Sequence, residues 1–211
     1  MASVISVNVA VPRTVEGIGR TGIDKQPADG PVGILVPGEG ASGVAGDKVF
    51  DTDGHGGVHQ AVYAYAREDL DAWQVSLDRP LSNGTFGENL TTDGVDVTGS
   101  LIGERWRIGA VELEVSSPRI PCNTFARWMD EHQWVKRFTA RAVPGAYLRV
   151  ITPGEVRAGD AVEVVHRPAH DVTVGVAFRA LTIEPALLPR LVDIEQLPAF
   201  LRERAARRVR S

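Results

Sequence analysis

The side chains best placed to do chemistry are gathered in Ser116-Ser117-Pro118-Arg119-Ile120-Pro121-Cys122-Asn123-Thr124-Phe125, which holds the only cysteine of the chain. A thiol with the ordinary pKa of about 8.5 is only about 3% ionised at neutral pH, so a working cysteine needs help to form its thiolate. Arg119, three residues upstream, is one source of help. Pro118 and Pro121 fix φ and drive the residues before them into extended conformations, so the segment between them is predicted to be stiff and non-helical. Upstream, Val111-Glu112-Leu113-Glu114-Val115 alternates as a half-buried strand does. Downstream, Phe125, Trp128, Met129, His132, Val135 and Phe138 recur at helical spacing and predict a helix. Cys122 is thereby expected where a strand hands over to a helix, close to unpaired N–H groups and the positive end of a helix dipole. A lone cysteine is commonly a small buried hydrophobe. The rigid flanks and the neighbouring cation argue for a functional thiol here.

Two other stretches carry candidate groups. In Asp51-Thr52-Asp53-Gly54-His55-Gly56-Gly57-Val58-His59, the histidines are four apart, a spacing that converges on zinc only from a helix, and Gly56-Gly57 would break one. Without a third ligand in view, zinc is set aside. The paired glycines could let backbone approach a ligand, with His55 as a hydrogen-bonding group; a polar turn is the other reading. Asn83-Gly84-Thr85-Phe86-Gly87-Glu88-Asn89-Leu90 is a glycine-punctuated loop whose useful side chains are Glu88 and Asn89. Gly38-Glu39-Gly40-Ala41-Ser42-Gly43 fits the dinucleotide pattern GxGxxG, but no convincing helix follows and the rest of a βαβ unit is missing, so it is read as a turn. Arg67, Glu68, Asp69 and Asp71 fall on the wet face of a helix marked by Ala66, Leu70, Trp73 and Leu77, and are read as solvated charges.

The elements that must position these groups are mostly short strands. Ile5, Val7, Val9 and Val11 alternate with Ser6, Asn8 and Ala10; further strands are expected at 61–65, 106–108, 111–115, 146–151 and 161–165. With two amphipathic helices among them, the fold class is α+β, built on a twisted β-barrel over residues 1–165. After a linker at 166–170, residues 171–211 read as a small unit of three short helices, capped by Asp171 or Thr173 and interrupted by Pro185, Pro189 and Pro198. Arg202, Arg204, Arg207, Arg208 and Arg210, within the last eleven residues, are read as a solvated helix end. A chain of 211 residues with a net charge of −4 can bury one substantial core and offers no general attraction for nucleic acid or anionic membranes. One cysteine allows neither an internal disulfide nor a four-cysteine iron–sulfur site. With no signal-peptide pattern and no apolar run of membrane-spanning length, a cytoplasmic location is expected.

Gly46-Asp47, His55-Gly56-Gly57 with Gln60-Ala61-Val62, Phe86-Gly87-Glu88-Asn89-Leu90 and Pro118-Arg119-x-Pro-Cys122 follow one another in an order and spacing that resemble MOSC domains, in particular the standalone YiiM-type branch. The resemblance implies a β-barrel-like MOSC domain with a small C-terminal helical domain, and a molybdenum–pterin cofactor (molybdopterin) bound with Cys122 as ligand to the metal. It implies catalytic roles for Cys122 and Arg119. The cofactor's phosphate would be cradled by Arg119, Arg13 and Lys25, the last two chosen from their places in the N-terminal turns. His55, Gly57, Asn89 and Ser117 would contact pterin or oxo ligands. The implied activity is molybdenum-dependent reduction of N-hydroxylated compounds of the hydroxylaminopurine type, with electrons from a separate reductase because no nicotinamide, flavin or iron–sulfur pattern is present. Two alternatives stand beside it: a sulfur carrier working through a Cys122 persulfide, and a non-catalytic carrier of the cofactor.

Overall fold

A computed structural model describes residues 1–52 and 54–210. An eight-stranded mixed sheet is its frame. The strands are β1 (Ser3–Ala10), β2 (Arg13–Val15), β3 (Gly19–Thr21), β4 (Lys25–Pro27), β5 (Val32–Ile34), β6 (Val62–Ala66), β7 (Leu90–Asp93), β8 (Arg105–Ile108), β9 (Val111–Pro118), β10 (Ala146–Thr152), β11 (Gly154–Val156) and β12 (Val162–His166). In the sheet they lie in the order β12-β8-β9-β10-β6-β7-β1-β4, while β5 pairs with β11 and β2 with β3 as separate ribbons. All pairs are antiparallel except β6 with β7, joined across helix α1 (Arg67–Leu77). The α+β class expected above holds. The sheet is not a closed barrel, however: it curls until β1 meets the approach to β12 through a single bridge, Ser3 with Ala161, and through hydrogen bonds such as Val4 N–H to the Asp160 carbonyl at 2.9 Å.

The curl sorts apolar side chains into two clusters. Inside lie aliphatic residues such as Val4, Leu90, Leu113 and Leu148. Outside, α1 and two further helices, α2 (Asn123–Met129) and α3 (Trp134–Arg141), press aromatic residues against the strands. Rings of Trp73, Phe86, Phe125, Trp134 and Phe138 pack there with centroids between 4.8 and 6.2 Å apart, spacings at which edge-to-face contact adds to burial. The single helix expected after Phe125 is in fact broken. Asp130 and Gln133 adopt left-handed conformations (φ 50° and 53°), and the reset turns Trp134 and Phe138 inward while His132 and Val135 face solvent. Burying two large aromatics outweighs continuing a marginal helix.

In β1 the alternation is real, yet its polar residues are not outside. Ser6 and Asn8 are buried, Ser6 donates to Asn8 at 2.6 Å, and Asn8 donates to Thr91 Oγ1 at 3.0 Å. A bulge between Val4 and Ser6 lets Val7 be buried as well. At the other end of the chain, α4 (Val174–Thr182) is capped by Thr173, whose hydroxyl accepts from Val176 N–H at 3.1 Å, and α5 (Ala199–Val209) completes the helical part. The part of the chain up to β12 is β-rich and the part from Val174 onward is helical. Both contribute to the same aliphatic cluster, through Val174, Ala177 and Leu201 on the helical side.

Candidate functional site

Cys122 stands where β9 gives way to α2, as the extended residue that caps the helix (φ −108°, ψ 173°). It opens into a cavity of about 610 Å³, also lined by His55, Arg119, Lys25 and Asn89. Burial opposes ionisation of the thiol, but a hydrogen bond from His55, the charge of Arg119 and the N–H of Phe125 outweigh it and bring the Cys122 pKa down to about 6. The thiolate–imidazole contact in turn raises the pKa of His55, against the opposing effect of burial. Asp51 lies 3.3 Å from His55 Nδ1 on the solvent side. Cys122 does sit at the N-terminus of a helix, but α2 is only seven residues long, and the helix-end contribution comes from the Phe125 N–H.

Arg119 is held rigidly. It is 5% exposed, donates to the Phe86 carbonyl at 2.7 Å, and sits over the Phe125 ring at 3.7 Å and the Tyr63 ring at 5.2 Å. The carbonyl it uses belongs to a loop fastened by Glu88, a buried carboxylate that accepts from Phe86 N–H at 3.0 Å and Thr91 Oγ1 at 3.0 Å. Glu88 therefore shapes the loop and does not reach the cavity. Burial raises its pKa.

A second hub lies on the wall beside Cys122. Asp47 pairs with Lys25 and accepts from Ser42 Oγ at 2.7 Å, Asn89 Nδ2 at 2.9 Å and Ala10 N–H at 2.9 Å. Asn89 also accepts from Tyr63 N–H at 3.1 Å and donates to the Asn8 carbonyl at 3.2 Å, so its amide is committed to protein partners. Lys25, its pKa lowered by burial, has its charge matched by Asp47.

The other expected residues lie elsewhere. Arg13 is exposed on β2 and pairs with Asp24, outside the cavity wall. Ser117 is buried in β9 opposite Tyr147 of β10 and does not line the cavity. Gly57 turns the chain (φ 78°) and donates to the Ala41 carbonyl at 2.8 Å. It is Gly56 that touches the cavity, and a Cβ there would meet the Gly40 carbonyl at 2.6 Å, so these glycines let two loops approach each other. Several wall residues were not anticipated: Arg20, Lys48, Phe50, Gln60, Tyr63 and Tyr147. The tyrosines looked like ordinary strand residues, and only the pairing of β6 with β10 sets them beside Arg119.

The thiol is open to direct test. Alkylation of Cys122 by iodoacetamide in metal-free protein is expected to follow a titration centred at about 6, so that reaction at neutral pH is near its maximum. His55→Ala removes the leading stabiliser of the thiolate and should move the midpoint upward, toward the ordinary thiol range; an unmoved midpoint would show that His55 does not act on the sulfur.

The chain resembles known proteins in both sequence and fold. The family model for the MOSC domain matches residues 51–163. The chain is 34% identical over 180 residues to the uncharacterized protein YflK of Bacillus subtilis, covering 84% of this chain and 79% of YflK. It is 32% identical over 135 residues to Protein YiiM of Escherichia coli, covering 63% of this chain and 60% of that protein. It is also 32% identical over 184 residues to a protein of Gibberella moniliformis named Reductase, covering 83% of this chain but only 31% of the fungal one. Among solved structures, YiiM from Geobacillus stearothermophilus superposes with a TM-score of 0.81 at 26% identity, over 99% of this chain and 100% of that one. With the family's model spanning more than half of the sequence and its members' fold reproduced end to end, the chain belongs to the MOSC domain family, on its YiiM-type branch.

Proposed function

We propose that the protein is a molybdenum-cofactor-dependent reductase of N-hydroxylated compounds of the hydroxylaminopurine type, with Cys122 as the protein's ligand to molybdenum. The observation that carries this reading is the thiol itself: a cysteine that lines the cavity together with His55 and a buried arginine, both of which favour its thiolate. Its soft thiolate suits a metal that arrives with sulfur donors of its own. Among the described residues no group of three or more His, Cys, Asp or Glu side chains is placed to hold a metal, so one thiolate fits a cofactor that brings most of its coordination with it. The cavity falls within the few hundred to about 1,000 Å³ usual for cofactor sites. Gln60, on its wall, has a buried amide oxygen without a partner, an acceptor suited to the N–H groups of a pterin. The MOSC family and the fungal relative's name support the reductase class.

When bound, the cofactor supplies two-electron chemistry that converts an N–OH group to N–H with release of water. The chain's residues prepare for it. Arg119 keeps the sulfur anionic without moving, because the aromatic cluster and the Phe86 carbonyl hold it. His55 keeps a proton beside the sulfur. Electrons come, in this reading, from a separate reductase. No helix among the described residues is long and apolar enough to cross a membrane, and a cytoplasmic setting is proposed.

Protein made in cells competent for molybdopterin synthesis is expected to carry molybdenum and to reduce an N-hydroxylated purine with an artificial electron donor. Metal-free protein that is consistently persulfidated at Cys122 and passes that sulfur to an acceptor would replace this reading with the sulfur carrier.

A further inference from the structure

Four lysine and arginine side chains stand on the cavity wall: Arg119, Lys25, Arg20 and Lys48. Two are already engaged. Arg119 is buried against the Phe86 carbonyl and two rings, and Lys25 is matched by Asp47. Arg20 and Lys48 are exposed, and among the described residues neither has a carboxylate partner. They come from different parts of the chain. Arg20 lies on β3, in the hairpin with β2, and Lys48 lies in the loop that follows Asp47. The fold brings these segments together closely: a Cβ on Gly22 would run into the Lys48 carbonyl, so only glycine allows the contact. Phe50, also on the wall, receives the Arg20 guanidinium over its ring at 5.1 Å. A guanidinium steadied by a ring keeps its N–H donors for an anion.

We propose that Arg20 and Lys48, with Phe50 steadying the arginine, form a subsite for a phosphate monoester at the mouth of the cavity. A dianion at neutral pH suits two cations that no carboxylate among the described residues pairs with, one presenting a fork of donors and the other a point charge. Two sources of that chemistry are consistent with the function proposed above, on which the choice between them rests. One is the terminal phosphate of the pterin cofactor. The other is the 5′-phosphate of an N-hydroxylated purine nucleotide whose base reaches toward Cys122. Either way the anion end of the ligand sits at Arg20 and Lys48, and not at Arg13 or Lys25.

The experiment begins with metal-free full-length protein and calorimetric titration of inorganic phosphate, AMP and adenosine. Phosphate and AMP are expected to bind better than adenosine, and Arg20→Ala or Lys48→Ala to weaken both by roughly tenfold. Because the cations are exposed, raising salt from about 0.1 to about 0.5 M should weaken binding as well. Arg20→Lys should retain part of the affinity, which loss of folding would not explain. The source is read separately, on protein made with the cofactor. Alanine variants that lose bound pterin, measured by fluorescence after oxidation, assign the subsite to the cofactor. Variants that keep pterin but lose the preference, in kcat/KM, for N6-hydroxy-AMP over N6-hydroxyadenosine assign it to the substrate. Variants that bind phosphate and AMP as tightly as wild type, keep their pterin and keep their preference overturn the subsite. The titration and the pterin measurement read out even if the protein reduces nothing, so failure of the reductase reading would be seen apart from failure of the subsite.

Discussion

Cys122→Ser is expected to abolish reduction of N-hydroxylated substrates while changing the unfolding free energy by no more than about 1 kcal/mol. The swap is nearly isosteric, and it falls on a half-buried residue at the edge of a polar cavity, where a hydroxyl finds partners that an apolar core would deny it. The groups that stabilise the thiolate remain: Arg119 stays on its carbonyl and rings, and the Phe125 N–H still points at residue 122. What disappears is the sulfur. A serine hydroxyl does not ionise under these conditions and offers a hard oxygen where a soft donor is wanted. His55 loses the contact that raises its pKa and should titrate lower, a change visible by NMR in the metal-free protein. Metal analysis and turnover with an artificial donor, run beside a denaturation curve, separate loss of ligand from loss of fold. A Cys122→Ser protein that turns over at the wild-type rate would remove the mechanism proposed here.

The chemistry at Cys122 was legible in the sequence because it is local. The prolines, the arginine and the thiol lie within five consecutive residues, and the strand before them announces itself by alternation. What the sequence could not convey depends on long-range pairing. His55 reaches Cys122 across 67 positions of sequence through a loop held by glycine contacts with Gly40, and Tyr63 and Tyr147 meet only because β6 pairs with β10. Lys25, chosen from its place in the N-terminal turns, does line the cavity, but nothing near it in sequence shows that Asp47 pairs with it. Arg13 and Arg20 differ by seven positions in one hairpin, and composition alone cannot say which of them faces Asp24 and which faces the cavity. Many short strands do signal the curled, barrel-like sheet, but strand density does not record whether β12 meets β1 by a ladder or by one bridge. The break in the helix after Phe125 leaves no mark in the sequence, because Trp128, His132 and Val135 fit the helical period although they do not share a buried face.

Asp47→Ala is expected to cost about 3–5 kcal/mol of stability, the loss seen when one partner of a buried ion pair is removed. The Asp47 and Lys25 side chains are 1% and 10% exposed, so the substitution leaves an ammonium group in a poorly hydrated wall. It also releases Ser42, Asn89 and the Ala10 N–H, which all donate to the same carboxylate. Asn89 is the link from this hub to β1 and to the Tyr63 strand, so the cavity wall should loosen beyond the mutated residue. The pH dependence has a definite sign. Burial alone would raise the Asp47 pKa, but the charge and hydrogen bond of Lys25, with the hydrogen bonds of Asn89 and Ser42, hold it below the ordinary carboxylate value of 3.8. Its contribution is therefore present in full above that value and is lost as pH falls through the lower, folded-state pKa. The advantage of wild type over Asp47→Ala should shrink in that acid range. Adding Lys25→Met to Asp47→Ala removes the stranded charge and should restore a large part of the stability, since an apolar pair of similar volume can replace a buried ion pair. Urea denaturation of the two single variants and the double variant gives the coupling directly. If the double variant is no more stable than Asp47→Ala alone, the loss belongs to the severed hydrogen bonds of Asn89, Ser42 and Ala10, and the ion pair is not what holds this wall.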